Sequence, residues 1–167
     1  TGEMRQLTDR NGPDYAPSLS PDGSRLAYLG YEDRLMGYHN SQVSILDLNS
    51  GKITQLTEGL DRSIDWVEWA GNSRQLLISF DDFGKRKLAS VDMEGDLRPL
   101  ESDVGSAGIS RPYTSGDFTV SDNGAYAYTA GGPDRPADVA FGHDDSAIRL
   151  TDLNADLLDH KTLGEVR

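Results

Sequence analysis

The run Ser20-Pro21-Asp22-Gly23-Ser24-Arg25-Leu26-Ala27-Tyr28 places a tight-turn signal directly ahead of a short alternating strand. Asp-Gly supplies the positive φ that hairpin turns require. The same order recurs as Ala70-Gly71-Asn72-Ser73-Arg74-Gln75-Leu76-Leu77-Ile78 and as Ser121-Asp122-Asn123-Gly124-Ala125-Tyr126-Ala127-Tyr128. A second anchor keeps the same phase. Leu-Thr closes a short polar-apolar run at Arg5-Gln6-Leu7-Thr8, Thr54-Gln55-Leu56-Thr57 and Ile148-Arg149-Leu150-Thr151, with Arg98-Pro99-Leu100-Glu101 as a degenerate copy. The leucines at 7, 56, 100 and 150 stand 49, 44 and 50 residues apart. Two anchors in register define a repeat.

Each unit reads as four strands. The first runs Ala16 to Leu19, Arg25 to Leu29, Val43 to Leu48 and Lys52 to Thr57; the second Ile64 to Trp69, Gln75 to Phe80, Lys87 to Met93 and Leu97 to Leu100. In the third, Asp117 to Val120, Ala125 to Thr129, Asp138 to Phe141 and Ala147 to Leu150 take those roles, and no stretch sustains a helical period. A repeat of about 40 to 50 residues with four short strands is the pattern of a propeller blade, whereas a sandwich would not repeat turn, strand and loop in phase. The predicted fold is therefore all-β, a partial β-propeller sector of about three four-stranded antiparallel blades. Residues 9–57, 58–101 and 102–151 are the blades, and 1–8 the last strand of a preceding one. A closed ring takes roughly four to eight blades. The end blades should then expose faces that an intact ring buries, so self-association through them is expected.

Composition narrows the function classes. The chain has 167 residues, 16 Lys and Arg against 28 Asp and Glu, a formal charge of −12, and no Cys. This length can bury a sizeable core without disulfide or metal staples. The acidic balance argues against nucleic acid and anionic membranes, since both are recognised by clustered cations. No apolar run reaches the roughly 18 residues of a membrane-spanning helix. A cysteine-free chain suits cytoplasm and periplasm alike, so localisation stays open. The start, Thr1-Gly2-Glu3-Met4, has no signal-peptide pattern and is expected to belong to a longer polypeptide.

Catalytic signatures are sparse. The nearest string to a G-x-S-x-G nucleophile elbow, Gly105-Ser106-Ala107-Gly108, has the wrong spacing, so Ser106 reads as loop. His39, His143 and His160 fall in predicted loops without zinc spacing and read as solvent-exposed; Asp9-Arg10-Asn11-Gly12 and Asp144-Asp145 lack the alternating ligands of a calcium loop. No Gly-rich loop joins a strand to a helix, so no cofactor is expected. Trp66 and Trp69 share an innermost strand and face opposite sides, at least one of them packing between blades. Asp65 and Glu68 on that strand either point into the channel, where they would attract a cationic substrate end, or form solvated surface. In Ser110-Arg111-Pro112-Tyr113-Thr114-Ser115-Gly116, Arg111 and Tyr113 either clamp a carbonyl or carboxylate, or Tyr113 caps the blade.

These residues resemble one family along nearly the whole chain. The Leu-Thr strand ends, the Ser-Pro-Asp-Gly turn, Gly37-Tyr38-His39-Asn40, and Arg111-Pro112-Tyr113 followed by Phe118-Thr119-Val120-Ser121 look like the propeller of prolyl-oligopeptidase-type serine peptidases, in the acylaminoacyl-peptidase and dipeptidyl-aminopeptidase branch. The tail, Leu150-Thr151-Asp152-Leu153-Asn154-Ala155-Asp156-Leu157-Leu158 and then Leu163-Gly164-Glu165-Val166-Arg167, resembles the junction to the α/β-hydrolase domain, so 152–167 is read as that junction. The resemblance implies that the catalytic triad lies in a domain beyond this chain, and that no catalytic residue sits on it. It also implies that the propeller limits entry to short peptides while its inner rim, here Asp65, Glu68, Arg111 and Tyr113, helps hold them. Two other readings stay open: a Tol-type protein-binding propeller without enzymatic activity, and a lyase propeller for acidic sugars, against which the histidine spacing speaks.

Overall fold

The computed structural model describes residues 2–106, 115–132, 134–144 and 146–164, with the backbone alone at Ser102. Three antiparallel meanders follow one another along the chain. The first is β1 (Asp14–Leu19), β2 (Arg25–Gly30), β3 (Gln42–Asp47) and β4 (Ile53–Gln55). The second is β5 (Ile64–Trp69), β6 (Gln75–Asp82), β7 (Lys85–Asp92) and β8 (Leu97–Val104). The third, β9 (Phe118–Val120), β10 (Tyr126–Gly132), β11 (Arg135–His143) and β12 (Ser146–Arg149), joins the second through the bridge Ala130 to Val104. A four-residue helix, α1 (Ala155–Leu158), follows. Strand β5 lies against β1 in the first meander and β9 in the third, so the first strands of successive sheets line up together, as in propeller blades around an axis.

Two apolar layers lock the blades face to face. Ala27, Leu29, Val43 and Ile45 of the first meet Ile64, Val67, Trp69, Leu76 and Ile78 of the second. Leu77, Leu88 and Val104 of the second meet Phe118, Tyr126, Tyr128 and Ala140 of the third. The unbroken apolar run Leu76-Leu77-Ile78 follows from this: the central strand β6 is buried on both faces, so alternation disappears. Each fully buried Leu, Ile or Val contributes about 1.5–3 kcal/mol.

The repeat motifs have physical counterparts. In the first turn of each blade, Asp22 Oδ1 accepts Ser24 N–H (2.9 Å), Asn72 Oδ1 accepts Arg74 N–H (2.8 Å) and Asn123 Oδ1 accepts Ala125 N–H (3.2 Å). The next residue is left-handed each time: Gly23 at φ 70°, Ser73 at 53° and Gly124 at 84°. The turns also nest, since Asp22 N–H donates to Ser73 Oγ (3.2 Å) and a Cβ on Gly71 would strike the Asp122 backbone. The Leu-Thr anchor is a stitch back to the third strand. Thr57 Oγ1 accepts Val43 N–H (2.9 Å) and donates to Gln42 Oε1 (2.7 Å). Thr151 Oγ1 accepts Val139 N–H (2.9 Å) and donates to Asp138 Oδ1 (2.8 Å).

Three features differ from the sequence expectations. Strands β6 and β7 run on to Asp82 and back from Lys85, because Phe83 and Gly84, at φ 50° and 76°, make a two-residue hairpin turn. Glu3 to Thr8 is irregular rather than a strand, having no neighbouring strand to pair with here. His39 is largely buried, not solvent-exposed: its ring stacks on Tyr31 at 4.7 Å and its Nε2 accepts Arg34 N–H (3.0 Å). On the far side of the third blade Val139, Phe141, Ile148 and Leu150 form an exposed apolar face. Strand β11 alternates strictly, and its other face buries Asp138, Ala140 and Gly142.

Candidate functional site

Strand β5 carries two of the four rim residues predicted from sequence, and a bulge sets their directions. Between Ile64 and Trp66 the pairing with β6 slips by one residue, leaving Asp65 unpaired in the ladder. Below the bulge, Val67 and Trp69 face the first blade, and Trp69 Nε1 donates to Ser18 O across the interface (2.9 Å). Trp66 is 52% exposed, on the side of the strand that faces the third blade. Of the two tryptophans, Trp69 packs between blades, as expected of at least one of them, and Trp66 presents an exposed indole face.

Asp65 is not a free carboxylate. Its Oδ2 pairs with Arg86 Nη2 (2.8 Å), and Arg86 Nε also pairs with Asp81 Oδ1 (2.8 Å). Burial pushes the Asp65 carboxyl above the ordinary aspartate value; Arg86 opposes that push and the Asp81 charge adds to it. Glu68 spans two blades, its Oε1 accepting Trp66 Nε1–H (3.2 Å) and its Oε2 accepting Val120 N–H of β9 (3.3 Å). Asp65, Trp66, Glu68 and Arg86 line a cleft of about 220 Å³ between the second and third blades, completed by Gly116, Asp117 and Phe118. A second hollow of about 380 Å³ continues from it past Trp66 and Glu68 towards Pro17 and Leu19 of β1.

Chemically the recess offers an exposed indole face and three carboxylates, with one guanidinium partly neutralising them. That combination suits a cationic end or an extended apolar-cationic segment. Arg111 and Tyr113, the other two predicted rim residues, lie outside the described residues. Arg86, Asp81 and Asp117 escaped the sequence reading, since Asp81 and Arg86 meet only through the register of the Phe83-Gly84 hairpin. The histidines sit apart, His39 between β2 and β3, His143 at the end of β11 and His160 after α1; among the described residues no cluster is placed to hold a metal ion.

No family model matches the chain. Dipeptidyl-peptidase 5 of Aspergillus fumigatus is 30% identical over 100 residues, covering 58% of this chain and 14% of its own length. The chain thus spans about one-seventh of that curated relative. The β-propeller domain of the trilobed protease from Pyrococcus furiosus superposes over 86% of this chain and 39% of its own, with a TM-score of 0.62 at 16% identity. A protein assigned as TolB from Agrobacterium tumefaciens superposes over 88% of this chain and 52% of its own, with a TM-score of 0.63 at 20% identity. The structural likenesses establish the propeller fold, and the sequence match is to a dipeptidyl-peptidase.

Proposed function

We propose that this chain is a noncatalytic arc of the propeller of a serine peptidase acting on short peptides, where it narrows the path to a catalytic domain and helps hold the substrate. The observation that carries the reading is the sequence match to dipeptidyl-peptidase 5 on a chain whose fold is that of a protease propeller. A ring admits what fits its bore, and an enclosed site works away from bulk water, so restricted entry selects short or unstructured peptides. The recess at Asp65, Trp66 and Glu68 supports the second role: carboxylates beside an indole hold a peptide ammonium and an adjacent side chain. Arg111 and Tyr113 remain proposed members of that rim, and Glu3 to Thr8 and 152–167 the proposed links to a preceding blade and to the hydrolase domain. The partners are then a short peptide and the catalytic domain, with nucleic acid and membrane disfavoured by the charge. The exposed face at Val139, Phe141, Ile148 and Leu150 supports self-association of the isolated arc.

The likeness to TolB supports a second reading, a protein-docking propeller without catalysis. Assay of the full-length polypeptide and of this chain on short chromogenic peptides separates the two. The peptidase reading predicts turnover by the full-length form alone, with folded proteins resistant. Asp65→Asn and Glu68→Gln in that form should raise KM several-fold for peptides with a free amino end and leave kcat little changed. A full-length form inert on all peptides favours docking.

A further inference from the structure

Two consecutive blades share an unfavourable feature at corresponding positions. At the tip of the connection between second and third strands, each carries a large apolar side chain in the left-handed backbone region: Leu35 at φ 57° and Phe83 at φ 50°. Both are over nine-tenths exposed, at 91% and 92%. Asn or Gly suits such a position, and bulky side chains are outliers there. Exposure of the same side chains adds an unfavourable hydration term.

The tips are nonetheless held in place. Leu35 N–H donates to Asp33 Oδ1 (2.8 Å), and the stacked His39 accepts the neighbouring Arg34 N–H. The Arg62 guanidinium lies 5.4 Å from the Phe83 ring centre and is itself anchored to Asp82 (2.7 Å). Hollows of about 520 and 550 Å³ flank the tips and meet at Leu60 and Asp61, so the surface runs unbroken from blade to blade. Exposed Met36 and Tyr38 extend it beside Leu35. The opposite end of the blades is finished by Asp, Asn, Ser and Gly turns.

We propose that Leu35 and Phe83 are paired apolar anchors on which the catalytic domain of the same polypeptide docks. This rests on the peptidase reading above and adds to it which end of the arc meets that domain, and through which side chains. The occupant follows from chain length: the arc is about one-seventh of the relative it matches, so on that reading most of the protein is tethered to it. A tethered partner meets a small anchor pair at high effective concentration, so two side chains suffice where a free partner would need a larger patch.

The test uses the full-length polypeptide with a benzophenone amino acid in place of Phe83 or Leu35, irradiated and mapped by mass spectrometry. A fluorophosphonate probe on the same sample reports whether an active serine is present. The expected result is probe labelling together with crosslinks from both tips into the labelled domain of the same molecule. Intramolecular products should exceed intermolecular ones by more than about tenfold at micromolar protein. Labelling with crosslinks to a second copy, to a separate protein or to nothing overturns the docking proposal and leaves the peptidase reading standing. Absence of labelling overturns both. Leu35→Asn and Phe83→Asn relieve the local backbone cost, so their failure to loosen the domains, read as unchanged protease nicking between them, also counts against the proposal.

Discussion

Gly71 sits where the first turns of the second and third blades touch, and a methyl group there has nowhere to go, because the Asp122 backbone occupies the space. Gly71→Ala should therefore destabilise by about 1–3 kcal/mol through overpacking. Gly23→Ala, where the space is open but φ is 70°, should cost about 1 kcal/mol through backbone strain alone; urea titration of both variants checks the ranking. Asp138 is the residue with the clearest pH signature. Its buried carboxylate accepts Leu153 N–H (3.0 Å), the Thr151 hydroxyl (2.8 Å) and Arg149 Nη1 (3.1 Å). The Leu153 amide and Thr151 hydroxyl, helped by the nearby arginines, hold its pKa below the ordinary aspartate value. A depressed pKa stabilises fully above the unfolded value of about 3.9 and is lost as pH falls through the folded one. Asp138→Asn should lower the urea midpoint at neutral pH, and the gap to the parent should narrow as pH falls below the ordinary aspartate value. A gap independent of pH would contradict this account of Asp138. Of these residues the turn members were legible in sequence, because an Asx side chain followed by a left-handed residue is a local signal. Asp138 was not, since its partners come from the next strand and the chain beyond it.

At the scale of elements, the Leu-Thr pair shows why a short pattern can repeat through 150 residues. The threonine hydroxyl bonds a backbone amide and a side chain of the third strand at once, so Thr57→Val orphans Val43 N–H and Gln42 Oε1 in a buried layer. Such a change should cost about 2–3 kcal/mol, read as a lower thermal midpoint. Thr151→Val should cost less, because Val139 is exposed and Asp138 keeps its bonds from Leu153 N–H and Arg149. The degenerate copy lacks this stitch at Glu101, which instead accepts the Tyr126 hydroxyl proton (3.1 Å) from the third blade. Strand positions followed closely from the periodicity. The ends of β6 and β7 did not, because Phe83 is not a residue that signals a turn, and with that hairpin went the ion pairs of Arg86 with Asp81 and Asp65 beside the recess. Asp65 and Glu68 were readable as residue types on an innermost strand, but the ion pair of Asp65 with Arg86 depends on a cross-strand register that no local pattern encodes.

Across the whole molecule, two blade interfaces are closed by apolar layers while the outer face of the third blade presents Val139, Phe141, Ile148 and Leu150 to solvent. A face of this kind drives association, so sedimentation of the isolated chain should show concentration-dependent oligomers, and Phe141→Lys should shift it towards monomer. A monomer at all concentrations would remove that expectation. The propeller architecture was legible because each blade repeats the same local physics, whereas activity was not, because the proposed chemistry belongs to parts of the protein outside these blades. The most direct test of the account is to treat the full-length polypeptide with a fluorophosphonate and locate the modified serine by mass spectrometry. The account predicts one modified serine, outside residues 1–167, in a protein that cleaves short peptides. A modified serine within these blades, or none anywhere in an intact protein, would contradict it.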